Sequence, residues 1–136
     1  MILVDSSAWI EFLRGSGHPA HLTLRHHLRA GAPLATTEVI VMELLAGASS
    51  NRDRDRLRQR IFALRQLRLR GMPDFESAAD LYRTCRRKGE TVRKLIDCLI
   101  AAVAIRDHAR VLHNDRDFDV LARHTRSKLE PFTTGE

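Results

Sequence analysis

Three apolar residues, Ile2-Leu3-Val4, run without a break into Asp5-Ser6-Ser7. A short apolar run followed at once by a turn or capping signal reads as a buried strand of the kind found in parallel sheets. The pattern returns. Pro33-Leu34-Ala35-Thr36 is a weak second strand, and Arg110-Val111-Leu112-His113-Asn114 is a stronger one that ends in Asp115. Arg68 to Met72 and Ser127 to Phe132 are short enough to be further edge strands. Helical stretches separate all of them. Strands alternating with helices imply an α/β fold: a parallel sheet of about four or five strands, right-handed crossovers and helices on both faces. Ligand sites in such sheets lie outside the carboxyl ends of the strands, where Asp5 and Asp115 stand.

The helices are legible from their caps and apolar stripes. Ser6 or Ser7 can cap a helix carrying Trp9, Ile10 and Leu13, closed by Gly15. Pro19 to Ala30 is a second helix, with Gly31 past its end. A third spans about Glu38 to Ala46 and is mostly apolar, with Glu43 standing alone in its middle. Ser49 to Asp55 is a polar loop and helix start, and the helix that follows runs through Leu67 with Leu57, Ile61 and Leu64 on one stripe. Pro73 opens a helix at its N1 position, Gly89 closes it, and its end carries Arg83, Arg86, Arg87 and Lys88. Leu95 to Ile105 is apolar on nearly every side and so is buried, with Asp97 the one charge in it.

At 136 residues the chain makes one domain, residues 1–136. No stretch is long and apolar enough to cross a membrane, and no signal peptide opens the chain, so a cytoplasmic location is expected. Cys85 and Cys98 have no CxxC spacing and read as inert thiols. The formal net charge of +6 points to a polyanionic partner, most simply nucleic acid.

Against that positive surface, acidic residues occupy internal positions. From Asp97 to Asp107 the helix climbs about 15 Å. After a turn near His108-Ala109, the strand from Arg110 to Asp115 returns about 16 Å. Asp97 therefore lies level with Asp115 at the carboxyl edge of the sheet, and Asp5 joins them if the two strands are neighbours. Glu43 is placed only loosely. Taken singly, Asp5 and Asp115 read equally well as helix N-caps, while a first-turn acid at Asp97 and an arginine partner at Glu43 are the lesser readings of those two. Taken together, carboxylates gathered in one dry pocket repel one another, and a hard divalent cation such as Mg²⁺ or Mn²⁺ offsets that repulsion.

These stretches also resemble a family. Val4-Asp5-Ser6-Ser7-Ala8-Trp9-Ile10, Thr37-Glu38-Val39 with Glu43-Leu44-Leu45-Ala46-Gly47, Ile96-Asp97-Cys98-Leu99-Ile100-Ala101-Ala102 and Leu112-His113-Asn114-Asp115-Arg116-Asp117-Phe118 look like the four motifs of PIN-domain nucleases, in order. Ser6 stands where threonine is common. Size and wording look most like the VapC toxins of bacterial toxin–antitoxin pairs. The resemblance implies a PIN-like fold and an acidic quartet of Asp5, Glu43, Asp97 and Asp115, with Asp117 a fifth member. It implies Ser7 as a hydroxyl steadying Asp5, and Mg²⁺-dependent cleavage of RNA such as tRNA or ribosomal RNA. It also implies a cognate VapB-like antitoxin and a homodimer.

Asp5, Asp97, Asp115 and Asp117 are the expected metal ligands. Hydrolysis would then need no protein nucleophile, and Glu43 or Asp117 would take the proton released by water. Arg86, Arg87, Lys88, Arg93 and Lys94 precede the Asp97 helix and are the candidate RNA contacts, though a solvated loop explains them equally well. The seven histidines show no HxxxH or HExxH spacing, which argues against zinc hydrolysis. Two rivals remain. A phosphatase using Asp5 as nucleophile wants a second acid two residues on, where this chain has Ser7. A non-catalytic basic nucleic-acid-binding module would leave the acids structural.

Overall fold

The computed structural model describes residues 1–133; the expected domain span of 1–136 therefore includes three residues, 134–136, outside the described ones. The first strand, β1 (Ile2–Val4), lies at the centre of a five-stranded sheet. It pairs in parallel with β2 (Leu34–Thr36) on one side and β4 (Arg110–Leu112) on the other. Outside them lie β3 (Arg65–Gln66) and β5 (Lys128–Leu129), also parallel, so the order is β3-β2-β1-β4-β5. Leu3, Val4, Ala35, Val111 and Leu112 are fully buried, as central strands covered on both faces must be.

Among the described residues, seven helices connect the strands: α1 (Ser6–Arg14), α2 (Pro19–Ala30), α3 (Glu38–Ala46), α4 (Asn51–Phe62), α5 (Met72–Arg87), α6 (Leu95–Arg106) and α7 (Arg116–His124). The chain steps from β1 to β2 to β3 in one direction, then crosses back to β4 and β5. Right-handed crossovers therefore put α1–α4 on one face and α5–α7 on the other. The helix packing follows that division, α1 against α2 and α3, α5 against α6 and α7. The reversal of direction falls between β1 and β4. That is the topological switch point, where a crevice opens at the carboxyl ends of the strands. Buried residues run from Asp97 to Ala104 along α6, which forms the centre of its layer, and Trp9 of α1 is fully enclosed on the other.

Two boundaries differ from the sequence expectation. The third strand is Arg65–Gln66 rather than Arg68–Met72, and α4 stops at Phe62 rather than running through Leu67. The Gln66 side-chain amide donates to the carbonyls of Ile61 and Leu64, and the Leu67 amide donates to Thr36. Those bonds close the helix early and draw the following residues into the sheet. Of the caps the sequence offers for α1, Asp5 rather than Ser6 or Ser7 is the N-cap residue. At α5, Gly71 is the cap at φ 78°, a value that favours glycine, and Pro73 is the second helical residue rather than the first.

Candidate active site

The crevice at the switch point is built by the ends of β1 and β4. Asp5 follows β1 directly, and its amide donates to the Leu112 carbonyl at 2.9 Å, which sets it beside the end of β4. Asp5 Oδ2 accepts from the Ser7 amide at 3.0 Å and from Ser7 Oγ at 2.5 Å. Ser7 Oγ in turn accepts from the Asn114 amide at 2.8 Å. One hydroxyl thus ties the two strand ends together. The other oxygen, Asp5 Oδ1, is buried without a hydrogen-bond partner.

Asp115 is the N-cap of α7, its Oδ1 accepting from the Asp117 amide at 2.9 Å. Its own amide donates to His113 Nδ1, so His113 serves as a brace behind the site. Asp5 and Asp115 thus each cap a helix, and each follows the carboxyl end of a strand, Asp5 directly after β1 and Asp115 three residues after β4. Asp97 lies in the first turn of α6, only 1% exposed, and its Oδ2 is buried without a hydrogen-bond partner. Asp117 is fully buried, and its two oxygens accept the amides of Arg93 and Lys94, each at 2.9 Å. Oxygens of Asp97, Asp115 and Asp117 lie within 4.8 Å of one another. The level placement of Asp97 and Asp115 from helix rise and strand rise is therefore observed.

Glu43 reaches the same region from α3. Ser6 Oγ donates to its Oε1 at 3.1 Å, a contact the sequence did not single out. A cation is already present among the acids. Lys94 Nζ lies 2.6 Å from Asp115 Oδ2 and 3.7 Å from Asp97 Oδ2. Around it Arg93, Lys94, Asn114, Asp115 and Arg116 line a cavity of about 420 Å³. Arg116 was not among the expected contacts; its place directly after Asp115 was the available signal. Arg86, Arg87 and Lys88 end α5, and a short loop links them to the start of α6, so they lie at the crevice end of the molecule without lining that cavity.

The electrostatics follow from this crowding. Burial, the Asp117 carboxyl beside it and the charges of Asp5 and Asp115 push the Asp97 carboxyl up to about 9. Asp5 is raised by burial against the opposing hydrogen bonds from Ser7. Glu43 is raised by burial and by the charge of Asp5. Burial works against ionisation of Asp115 as well, but the hydrogen bonds from Lys94 and the Asp117 amide outweigh it and hold this carboxyl below its ordinary value. The oxygens of Asp97, Asp115 and Asp117 at this spacing are a donor set able to hold a metal ion, and carboxylate oxygens suit a hard divalent one.

A second feature adjoins the site. Ile10, Phe12 and Leu13 of α1, Leu44 of α3 and Leu57 and Leu64 near α4 line a mainly apolar groove of about 1120 Å³, and Glu43 lies on its wall.

Comparison with known proteins gives a consistent picture. The family model described as "PIN domain" matches residues 2–124. Ribonuclease VapC11 of Mycobacterium tuberculosis is 44% identical over 133 residues, covering 97% of this chain and 99% of that protein. VapC ribonuclease Mb1587 of Mycobacterium bovis matches to the same extent. Among solved structures, VapBC2 from Rickettsia felis, bound to a DNA fragment from their promoter, shares the fold with a TM-score of 0.72 at 18% identity, over 96% of this chain and 98% of that one.

Proposed function

The chain belongs to the PIN-domain family and, within it, to the VapC ribonucleases, and from that premise we propose a metal-dependent endoribonuclease toxin, held inactive by a VapB-like antitoxin. The single observation that carries the reading is the convergence at one switch point of acids from four separate stretches: Asp5, Glu43, Asp97 and the Asp115–Asp117 pair. A basic rim on the same crevice supports it.

In this reading the cation is held by Asp5, through its unpartnered Oδ1, and by Asp97 and Asp115, with Mg²⁺ first and Mn²⁺ second. Asp117 adds a fourth carboxylate whose oxygens, already accepting two amides, keep lone pairs for an ion. When bound, such a cation makes water more acidic and stabilises charge developing on a phosphate. The protein's own groups do the rest. Ser7 holds Asp5 in its rotamer, and Ser6 holds Glu43 by Oε1. Glu43, half-buried and raised above its ordinary value, takes the proton from water at Oε2. It suits that role better than Asp117, whose oxygens hold the Arg93–Lys94 backbone. Arg93 and Arg116 grip phosphates at the rim, and Arg86, Arg87 and Lys88 extend the track along the end of α5. With water as nucleophile and the 3′ oxygen as leaving group, the products carry 5′-phosphate and 3′-hydroxyl ends.

The apolar groove of α1, α3 and α4 is the docking place for an amphipathic antitoxin segment, which would lie against Glu43 and close the site. The same reading makes residues 1–136 a single domain that acts on tRNA or ribosomal RNA in the cytoplasm as a homodimer. No described helix is long and apolar enough to cross a membrane. The test is incubation with total RNA with and without Mg²⁺, followed by sequencing of new 5′ ends. Mg²⁺-dependent ends absent from an Asp97→Asn preparation support the proposal. Inhibition of translation that persists in chelator, without new ends, would favour the non-catalytic RNA-binding module instead.

A further inference from the structure

Lys94 combines a fixed backbone with a largely exposed side chain. Its amide is held by Asp117 Oδ2 at 2.9 Å, and the amide of Arg93 by Asp117 Oδ1. Lys94 is the N-cap residue of α6 but makes no side-chain capping bond. Its side chain is 56% exposed, so the ammonium enters the acid cluster from the solvent side on a flexible four-carbon stem. There it takes Asp115 Oδ2 at 2.6 Å and stands 3.7 Å from Asp97 Oδ2. An ammonium and a divalent cation cannot both use that Asp115 oxygen at close range, because like charges at such a separation repel strongly.

We propose that Lys94 is a tethered counter-ion that occupies the acid cluster in the metal-free protein and must be expelled for a divalent cation to bind. The proposal rests on the reading of this cluster as a metal site. It makes Lys94 a positioning residue with two stations. In the first it neutralises Asp115 and keeps the dry acids together. In the second, expelled, its stem delivers the charge into the cavity shared with Arg93 and Arg116. Metal entry then adds a positive charge to the rim at the moment a polyanion is to be gripped. Asp117 serves both stations, since it fixes the point from which the side chain swings.

The experiment is calorimetric titration of Mn²⁺ alone, with no RNA, into wild type, Lys94→Gln and Lys94→Arg. Removing the competing charge should tighten Mn²⁺ binding roughly three- to tenfold in Lys94→Gln, the scale of a half-exposed charge-assisted bond. Lys94→Arg keeps the charge and should stay near wild type. The Lys94→Gln protein should also melt lower than wild type in chelator and match it at saturating Mn²⁺. A merely structural lysine would weaken metal binding when replaced, so Mn²⁺ affinity that is unchanged or weaker in Lys94→Gln overturns the counter-ion role while leaving the metal site intact. Absence of Mn²⁺ binding in all three proteins overturns both the counter-ion role and the metal reading beneath it.

Discussion

Asp97 is the residue on which the electrostatics of the crevice concentrate. Its folded value of about 9 lies above the ordinary 3.8, so across that interval the folded chain holds a proton that the unfolded chain has released. Its contribution to stability is greatest below the lower value and falls as pH rises toward the upper one, by at most about 1.4 kcal/mol per pH unit. In chelator, the melting temperature should therefore drop between pH 7 and pH 9, and excess Mg²⁺ should remove that drop. Asp97→Asn should abolish RNA cleavage yet leave the metal-free protein as stable as wild type or more so, with a flatter pH profile. A large loss of thermal stability in chelator would instead make Asp97 a structural first-turn acid. The sequence placed Asp5, Asp97 and Asp115 well, because strand rise and helix rise are nearly constant and the apolar runs show where each begins. Glu43 was only loosely placed, since the tilt of α3 depends on packing that no local pattern encodes. The use of Asp117 by two amides of a loop more than 20 positions earlier had no local signal at all.

At the scale of elements, the connection from α5 to α6 carries the basic groups, and its anchor is a salt-bridge clip. Glu90 accepts two bonds from Arg123 at 2.9 and 2.7 Å and lies 2.7 Å from His124 Nε2, tying the loop to α7. The bonds from Arg123 and His124 hold the Glu90 carboxyl down at about 2, from an ordinary 4.5. The clip's contribution is thus fully present above the upper value and is lost as pH falls through the lower one. Arg123→Ala should speed amide exchange across residues 89–94 at neutral pH while leaving that of β1 and β4 unchanged, as hydrogen-exchange mass spectrometry would show. Beyond the loop, Arg86→Ala combined with Arg87→Ala should weaken RNA binding and reduce its salt slope by roughly 1.4, if each arginine meets one phosphate of a single strand. An unchanged slope removes both from the RNA track. The boundaries of α4 and β3 escaped the sequence for a related reason. Leu57, Ile61 and Leu64 continue a helical stripe past the true end, and only the long-range bond from Leu67 to Thr36 reveals that the chain has already entered the sheet.

The molecule as a whole sets its acidic crevice beside an apolar groove on the α1–α4 face. Ile10 and Leu13 are 44% and 51% exposed there, a cost that a partner segment would offset. Leu13→Glu should lower affinity for a co-expressed antitoxin by at least about tenfold, as burying a charge in an apolar contact does, with RNA cleavage by the free protein unchanged. Retained co-purification would move the antitoxin to another face. The outer borders of the sheet carry a different implication. Each edge strand, Arg65–Gln66 and Lys128–Leu129, is two residues long and begins with a cation. Such stubs give a passing polypeptide almost no ladder to extend, and charge discourages the attempt. Fibril growth and strand-swapped clumping are thereby disfavoured, and a companion that binds by adding a strand finds almost nothing to pair with.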